Sequence, residues 1–171
     1  MVFGLPPLTF IHTAISLVGI ATGLVVLFRG LLVGRQLPRW TAWFLGTSVL
    51  TSVTGFFLPA THFMPSHGVG ILSLVVLSVA LFALYSKHLV GAWRRTYVIT
   101  AVIALYLNVF VLVAQLFAKV PALEALAPSQ TEPPFKAAQG VVLVAFIVLG
   151  TLAVGRFRSD EVGAQARPQG G

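Results

Sequence analysis

The sequence has no cysteine, two methionines and four acidic residues among 171. Without cysteine there is no disulfide framework, no thiolate metal site and no CxxC redox centre. Charge of either sign is scarce: 9% of the residues are charged and 57% are hydrophobic, whereas an ordinary soluble domain carries roughly 25% charged residues. A water-soluble fold would lack the polar surface to cover itself. The eleven Lys and Arg give a formal net charge of +7, but they are not gathered on one continuous face as in a nucleic-acid-binding domain. They punctuate apolar runs instead, so nucleic acid is excluded as a partner and the lipid bilayer is expected in its place. No Lys or Arg precedes Arg29, so the first run lacks the basic n-region of a cleavable signal peptide and is expected to remain in the mature protein.

Five apolar runs follow one another, predicting transmembrane helices over residues 8–28, 40–58, 69–85, 97–117 and 137–154. A hydrocarbon layer ~30 Å thick needs roughly 20 helical residues at ~1.5 Å each, and the third run is on the short side of that length. Breakers separate the runs: Gly30, Gly34 and Pro38 after the first, Pro59 and Pro65 around a tight hairpin, and a Pro-rich loop over 119–136. Trp40, Trp43, Trp93 and Tyr97 suit a membrane–water interface. The Gly-, Gln- and Ala-rich tail, residues 159–171, has no apolar pattern and is expected to be disordered. The fold class is therefore all-α, a single transmembrane bundle over residues 1–158.

Threading five spans puts Arg29, Arg35, Arg39, Lys87, Arg94, Arg95, Arg156, Arg158 and Arg167 on one side and only Lys119 and Lys136 on the other. Basic residues near span ends are retained in the cytoplasm, which predicts an outer N-terminus and a cytoplasmic C-terminus. A four-helix alternative needs an interfacial fifth run or a re-entrant third, and neither run has the charged face of an in-plane helix. No repeat is visible, and five spans do not divide into the inverted halves common in transporters.

Helices in lipid associate through small residues and through polar side chains in need of partners. Stripes of both kinds occur: His12, Ser16, Gly19 and Gly23; Thr47, Thr51, Gly55 and His62; Ala101, Ala104, Asn108 and Gln115; Gln139, Phe146 and Gly150. Gly19 and Gly23 form a GxxxG pair, and Asn108, Gln115 and Gln139 are expected to be buried. An interhelical hydrogen bond from such a side chain contributes about 1 kcal/mol, so these are first of all packing residues.

Histidine carries the sharpest chemical signal. His12, His62 and His67 fall at one end of the threaded spans, where two imidazoles could ligate a b-type haem and three could hold a divalent metal. His88 stands alone at the other end, which leaves no pair for a second haem. No Asp, Glu, Lys or Arg lies inside a span, so a carboxylate proton relay, a charged ion pathway and a voltage sensor lack their essential groups. Nor does any serine sit in a pattern for nucleophilic catalysis.

The run ALYLNVFVLVAQLFAKVPALEALAPSQTEPPF, with TSVTGFFLP and THFMPSHGVGILSL, resembles small bacterial inner-membrane proteins. The resemblance implies location and helical architecture and carries no activity. Four-helix b-type cytochromes of bacteria place histidine pairs for two stacked haems, a pattern this chain departs from. The expectation is an inner-membrane accessory, assembly or interaction subunit without catalysis of its own, part of a larger complex or self-associated through its small-residue faces. A haem- or metal-binding redox protein using His12, His62 and His67 is the alternative; a small-molecule channel or lipid-handling protein, with a cavity among the outer polar residues, is a third.

Overall fold

Among the described residues, five of the six α-helices have proline as their first residue: α1 (Pro7–Val25), α2 (Pro38–Gly55), α3 (Pro65–Leu81), α5 (Pro121–Glu124) and α6 (Pro133–Arg156). The first helical position has no use for the N–H that proline lacks, and the ring presets φ for the helix. Only α4 (Ala92–Lys119) starts otherwise, after Gly91 at φ 58°. The computed structural model describes residues 6–58 and 65–157, and they are all-helical. The tail expected to be disordered and His62 lie outside the described residues.

Two helices change pitch at the same end of the bundle. Helix α1 runs into a π turn, Val26–Gly30, and a 3-10 turn, Leu31–Val33, and stops at Gly34 with φ 76°. Helix α3 likewise ends in a π turn, Phe82–Ser86. His88 and Leu89 then take positive φ values of 49° and 60°, and Leu89, only 5% exposed, is tucked into the core. Burial of that apolar side chain offsets the cost of a left-handed backbone.

The helices run up and down. Arg94 on the first turn of α4 donates to the Phe157 carbonyl at 2.7 Å, past the end of α6, and Gly34 lies against the Arg156 carbonyl. The ends of α1, α3 and α6 and the starts of α2 and α4 therefore meet at one end. All seven described Lys and Arg outside the 119–136 loop belong to that basic end. At the opposite end α1 faces α2 through His12 and Thr54, and α4 faces α6 through Phe110 and Gln139.

Helix α4 is central, touching α1, α3 and α6, and buries Tyr97, Val98, Ala101, Ala104 and Leu105. Leu27, Phe44, Leu45 and Leu77 complete the core. The GxxxG face of α1 is consumed here: a Cβ on Gly23 would sit 2.6 Å from Leu105 and 2.8 Å from Phe44, and one on Gly19 would sit 3.1 Å from the Thr47 hydroxyl. Gly150 of α6 meets Val102 in the same manner. Outward-facing side chains such as Val141, Val144, Ile147 and Val148 on α6 are apolar and exposed, the arrangement a hydrocarbon solvent favours.

Among the described residues four helical stretches are long and apolar enough to cross a membrane: Pro7–Val33, His67–Ser86, Ala92–Lys119 and Pro133–Arg156. They contain four of the five expected spans. Helix α2 is as long as a short crossing but less apolar, because Thr41, Thr47, Ser48, Thr51, Ser52 and Thr54 lie along it. Substituting Gly23→Leu should lower the thermal midpoint of the detergent-solubilised protein, followed by circular dichroism, by the equivalent of about 1–3 kcal/mol of overpacking. Gly140→Ala, where a Cβ meets open space, is the matched control; equal midpoints for the two variants would contradict the packing.

Candidate functional site

Interhelical hydrogen bonds tie polar side chains of the bundle together. Asn108 of α4 donates to the Ser48 hydroxyl of α2 at 2.9 Å. Gln139 of α6, buried, donates to the Phe110 carbonyl at 3.1 Å, while its Oε1 and the Thr51 hydroxyl are buried without a partner among the described residues. His12 of α1 pairs with Thr54 of α2 at 2.9 Å through Nδ1. The Thr54 hydroxyl also lies 2.7 Å from the Leu50 carbonyl, and the tautomer of the imidazole sets which partner donates in the His12 pair.

His12 and His67 contact different residues near the end of α2. His12 meets Thr54 from α1, whereas His67 stacks on Phe56 from α3, with ring centroids 5.8 Å apart and planes 15° apart. His62 is outside the described residues. Among those described, no three His, Cys, Asp or Glu residues come together. His88 is exposed at the basic end.

Gln115 corrects one expectation. It was expected to be buried with Asn108, seven residues away and nearly on the same helical face, but it is exposed. Packed helices cross at an angle and part with distance from the crossing point, and Gln115 lies about 10 Å along α4 from the Ser48 contact. Asn108 itself is half-buried.

The 119–136 loop is folded rather than a bare connector. It contains α5, and Gln130, at φ 57°, donates to the Ala114 carbonyl of α4 at 2.9 Å. Glu132 accepts from the Ser129 hydroxyl at 2.7 Å and from the N–H groups of Ser129 and Thr131. The Ser129 hydroxyl bond, first among these, holds the Glu132 carboxyl below its ordinary range. Phe117 and Phe135 meet edge to face at 5.4 Å across the loop's ends.

At the basic end a cavity of about 160 Å³ lies between Val26, Leu31, Thr41, Leu84 and Tyr97, with Arg35 at its rim. A groove of about 380 Å³ lies on the outer face of α2, from Arg39 to Leu50. Both spaces are away from the outer polar residues where a cavity was expected. Sequence reasoning missed Ser48 and Thr54 as partners, since hydroxyls can be satisfied within their own helix, as Thr47 is by the Trp43 carbonyl at 2.6 Å. It also missed Gln130 and Arg94, whose partners are backbone carbonyls that no side-chain pattern announces. The chain matches no protein-family model, and no characterised protein or solved structure is significantly similar to it.

Two measurements follow from this geometry. A double-mutant cycle of Ser48→Ala and Asn108→Ala should return a coupling of about 0.6 kcal/mol, within the range for polar pairs between membrane helices; additive effects would show that the bond contributes nothing. A depressed carboxyl pKa stabilises the folded loop above the ordinary carboxylate range, and that contribution is lost as pH falls through the lowered value. Replacing Ser129 by Ala should therefore move the Glu132 midpoint upward in carbon-13 NMR of glutamate-labelled protein, and an unmoved midpoint would remove Ser129 as its cause.

Proposed function

We propose that this is a five-crossing protein of a bacterial inner membrane, with its N-terminus outside and its C-terminus in the cytoplasm, acting as a non-catalytic accessory, assembly or interaction subunit. The observation that carries the reading is the use made of intramembrane polar groups. Asn108, Gln139 and His12 each bond a neighbouring helix, so they act as interhelical ties rather than as a site converging on a cavity.

Helix α2 is taken as the fifth crossing because its polar residues are accommodated inside. Thr47, Ser48 and Ser52 are buried, and the outward face presents Trp40, Trp43, Leu50 and Val53. Its 18 residues span about 27 Å, antiparallel to α1. The positive-inside rule supports the orientation, because the basic end holds every described Lys and Arg except Lys119 and Lys136. Self-association through Gly19 and Gly23 is disfavoured, since α2 and α4 occupy that face. Exposed surface for a partner lies on α6 and on the 119–136 loop.

The absence of cysteine gives a clean background for accessibility labelling. Intact cells should label Ser129→Cys, and Gln36→Cys only after permeabilisation; the reverse pattern would overturn the orientation. Mild-detergent purification should yield colourless protein, free of stoichiometric metal, together with a membrane partner. A Soret band lost on His12→Ala would instead establish the haem reading and discard the accessory one.

A further inference from the structure

Among the described residues, the outer face of α2 combines a cation, an exposed indole and a notch in one line. Arg39, Ala42, Trp43, Gly46, Thr47 and Leu50 line a shallow, open groove of about 380 Å³ along this one helix. Trp43 is 63% exposed and Leu50 51%. Between them Gly46 faces open space, with nothing within 4 Å of where its Cβ would be. We propose that this groove binds one anionic phospholipid, with its phosphate on Arg39 and an acyl chain laid past Trp43 and over Gly46 to Leu50.

The dimensions fit one leaflet. Arg39 to Leu50 is eleven helical residues, about 16 Å at the helical rise, close to half of a hydrocarbon core ~30 Å thick. The charge fits as well. Glu124 and Glu132, the described acids, both lie in the loop at the opposite end, so among the described residues Arg39 has no carboxylate to neutralise it. Basic pockets at the cytoplasmic end of membrane helices are the sites at which anionic headgroups bind.

A second copy of the chain fits the face poorly, although Ala42 and Gly46 are spaced as a small-residue pair. Two copies of one orientation meeting on this face would set Arg39 against Arg39 and place two exposed indoles where close helix approach needs small residues. An anionic lipid removes the first conflict and uses the second feature, since an indole at the interface packs against acyl chain and headgroup together. The inference rests on α2 crossing the bilayer, and its test is independent of the accessory role.

The test is native mass spectrometry of the full chain in detergent with equal amounts of phosphatidylglycerol and phosphatidylcholine of identical acyl chains. The wild type should retain one phosphatidylglycerol about five-fold over phosphatidylcholine, the preference a single basic residue provides near a headgroup. Arg39→Gln should abolish that preference and Arg39→Lys should keep it. Gly46→Leu, which adds its side chain into open space, should lower retention of both lipids while leaving the circular dichroism spectrum unchanged. Equal retention of the two lipids by wild type, or retention unaltered by Arg39→Gln or Gly46→Leu, would overturn the proposal. So would a disulfide-linked dimer formed through Ala42→Cys in native membranes, which would give the face to a second copy. Failure here leaves the labelling pattern and partner recovery untouched.

Discussion

The bundle depends on one close approach, which residue 23 permits by having no side chain. Phe44 of α2 and Leu105 of α4 both reach the space a Cβ would fill, so three helices meet at a single point on α1. Dispersion falls off steeply with separation, and in lipid the apolar surfaces of helices gain nothing by leaving one solvent for another. Contact at Gly23 therefore decides which faces of α1, α2 and α4 oppose one another. With that alignment set, Gly19 falls opposite Thr47 and His12 opposite Thr54 in an antiparallel register, and Ser48 is presented to Asn108.

The polar contacts are consequences of that alignment rather than its cause. Each interhelical bond is modest, because an unfolded chain inside the membrane also finds partners for its polar groups. Their value lies in discrimination: a rotation of α2 that put Val49 in the place of Ser48 would leave the Asn108 amide facing carbon. At the basic end the same function falls to backbone groups, with Arg94 on the Phe157 carbonyl and Gly34 against Arg156. Side-chain donors on backbone carbonyls thus occur at both ends, Arg94 on Phe157 at one and Gln139 on Phe110 at the other.

Much of the architecture was legible in the residues. Pro7, Pro38, Pro65 and Pro133 mark helix starts, and the apolar runs that follow give four of the stretches able to cross a membrane. The hydroxyl-rich α2 is not among those four; Trp40 and Trp43 at its start mark it in the sequence, and average polarity does not report that its hydroxyls face inward. The GxxxG pair was visible, but not that α4 as well as α2 would lie on it. The histidines were legible as residue types, and their individual contacts were not: nothing in the sequence announces Thr54 as the partner of His12 or Phe56 as the ring beside His67. Gln115 failed for a related reason, because helical spacing predicts a face and not how far along that face the neighbour stays in reach.

The paired π turns bear on how the molecule tolerates changes in length. A π turn houses one residue more than the α turn it replaces, and both of these, at Val26–Gly30 and Phe82–Ser86, follow the α-helical parts of α1 and α3 while Val26, Leu27 and Ala83 stay in the core. A residue inserted or deleted after Gly23 or after Leu77 can be absorbed by gain or loss of the wider turn, at the cost of repacking Val26, Leu27 or Ala83. Changes of length absorbed there would remodel the basic end of the bundle and leave the Gly23 contact in register.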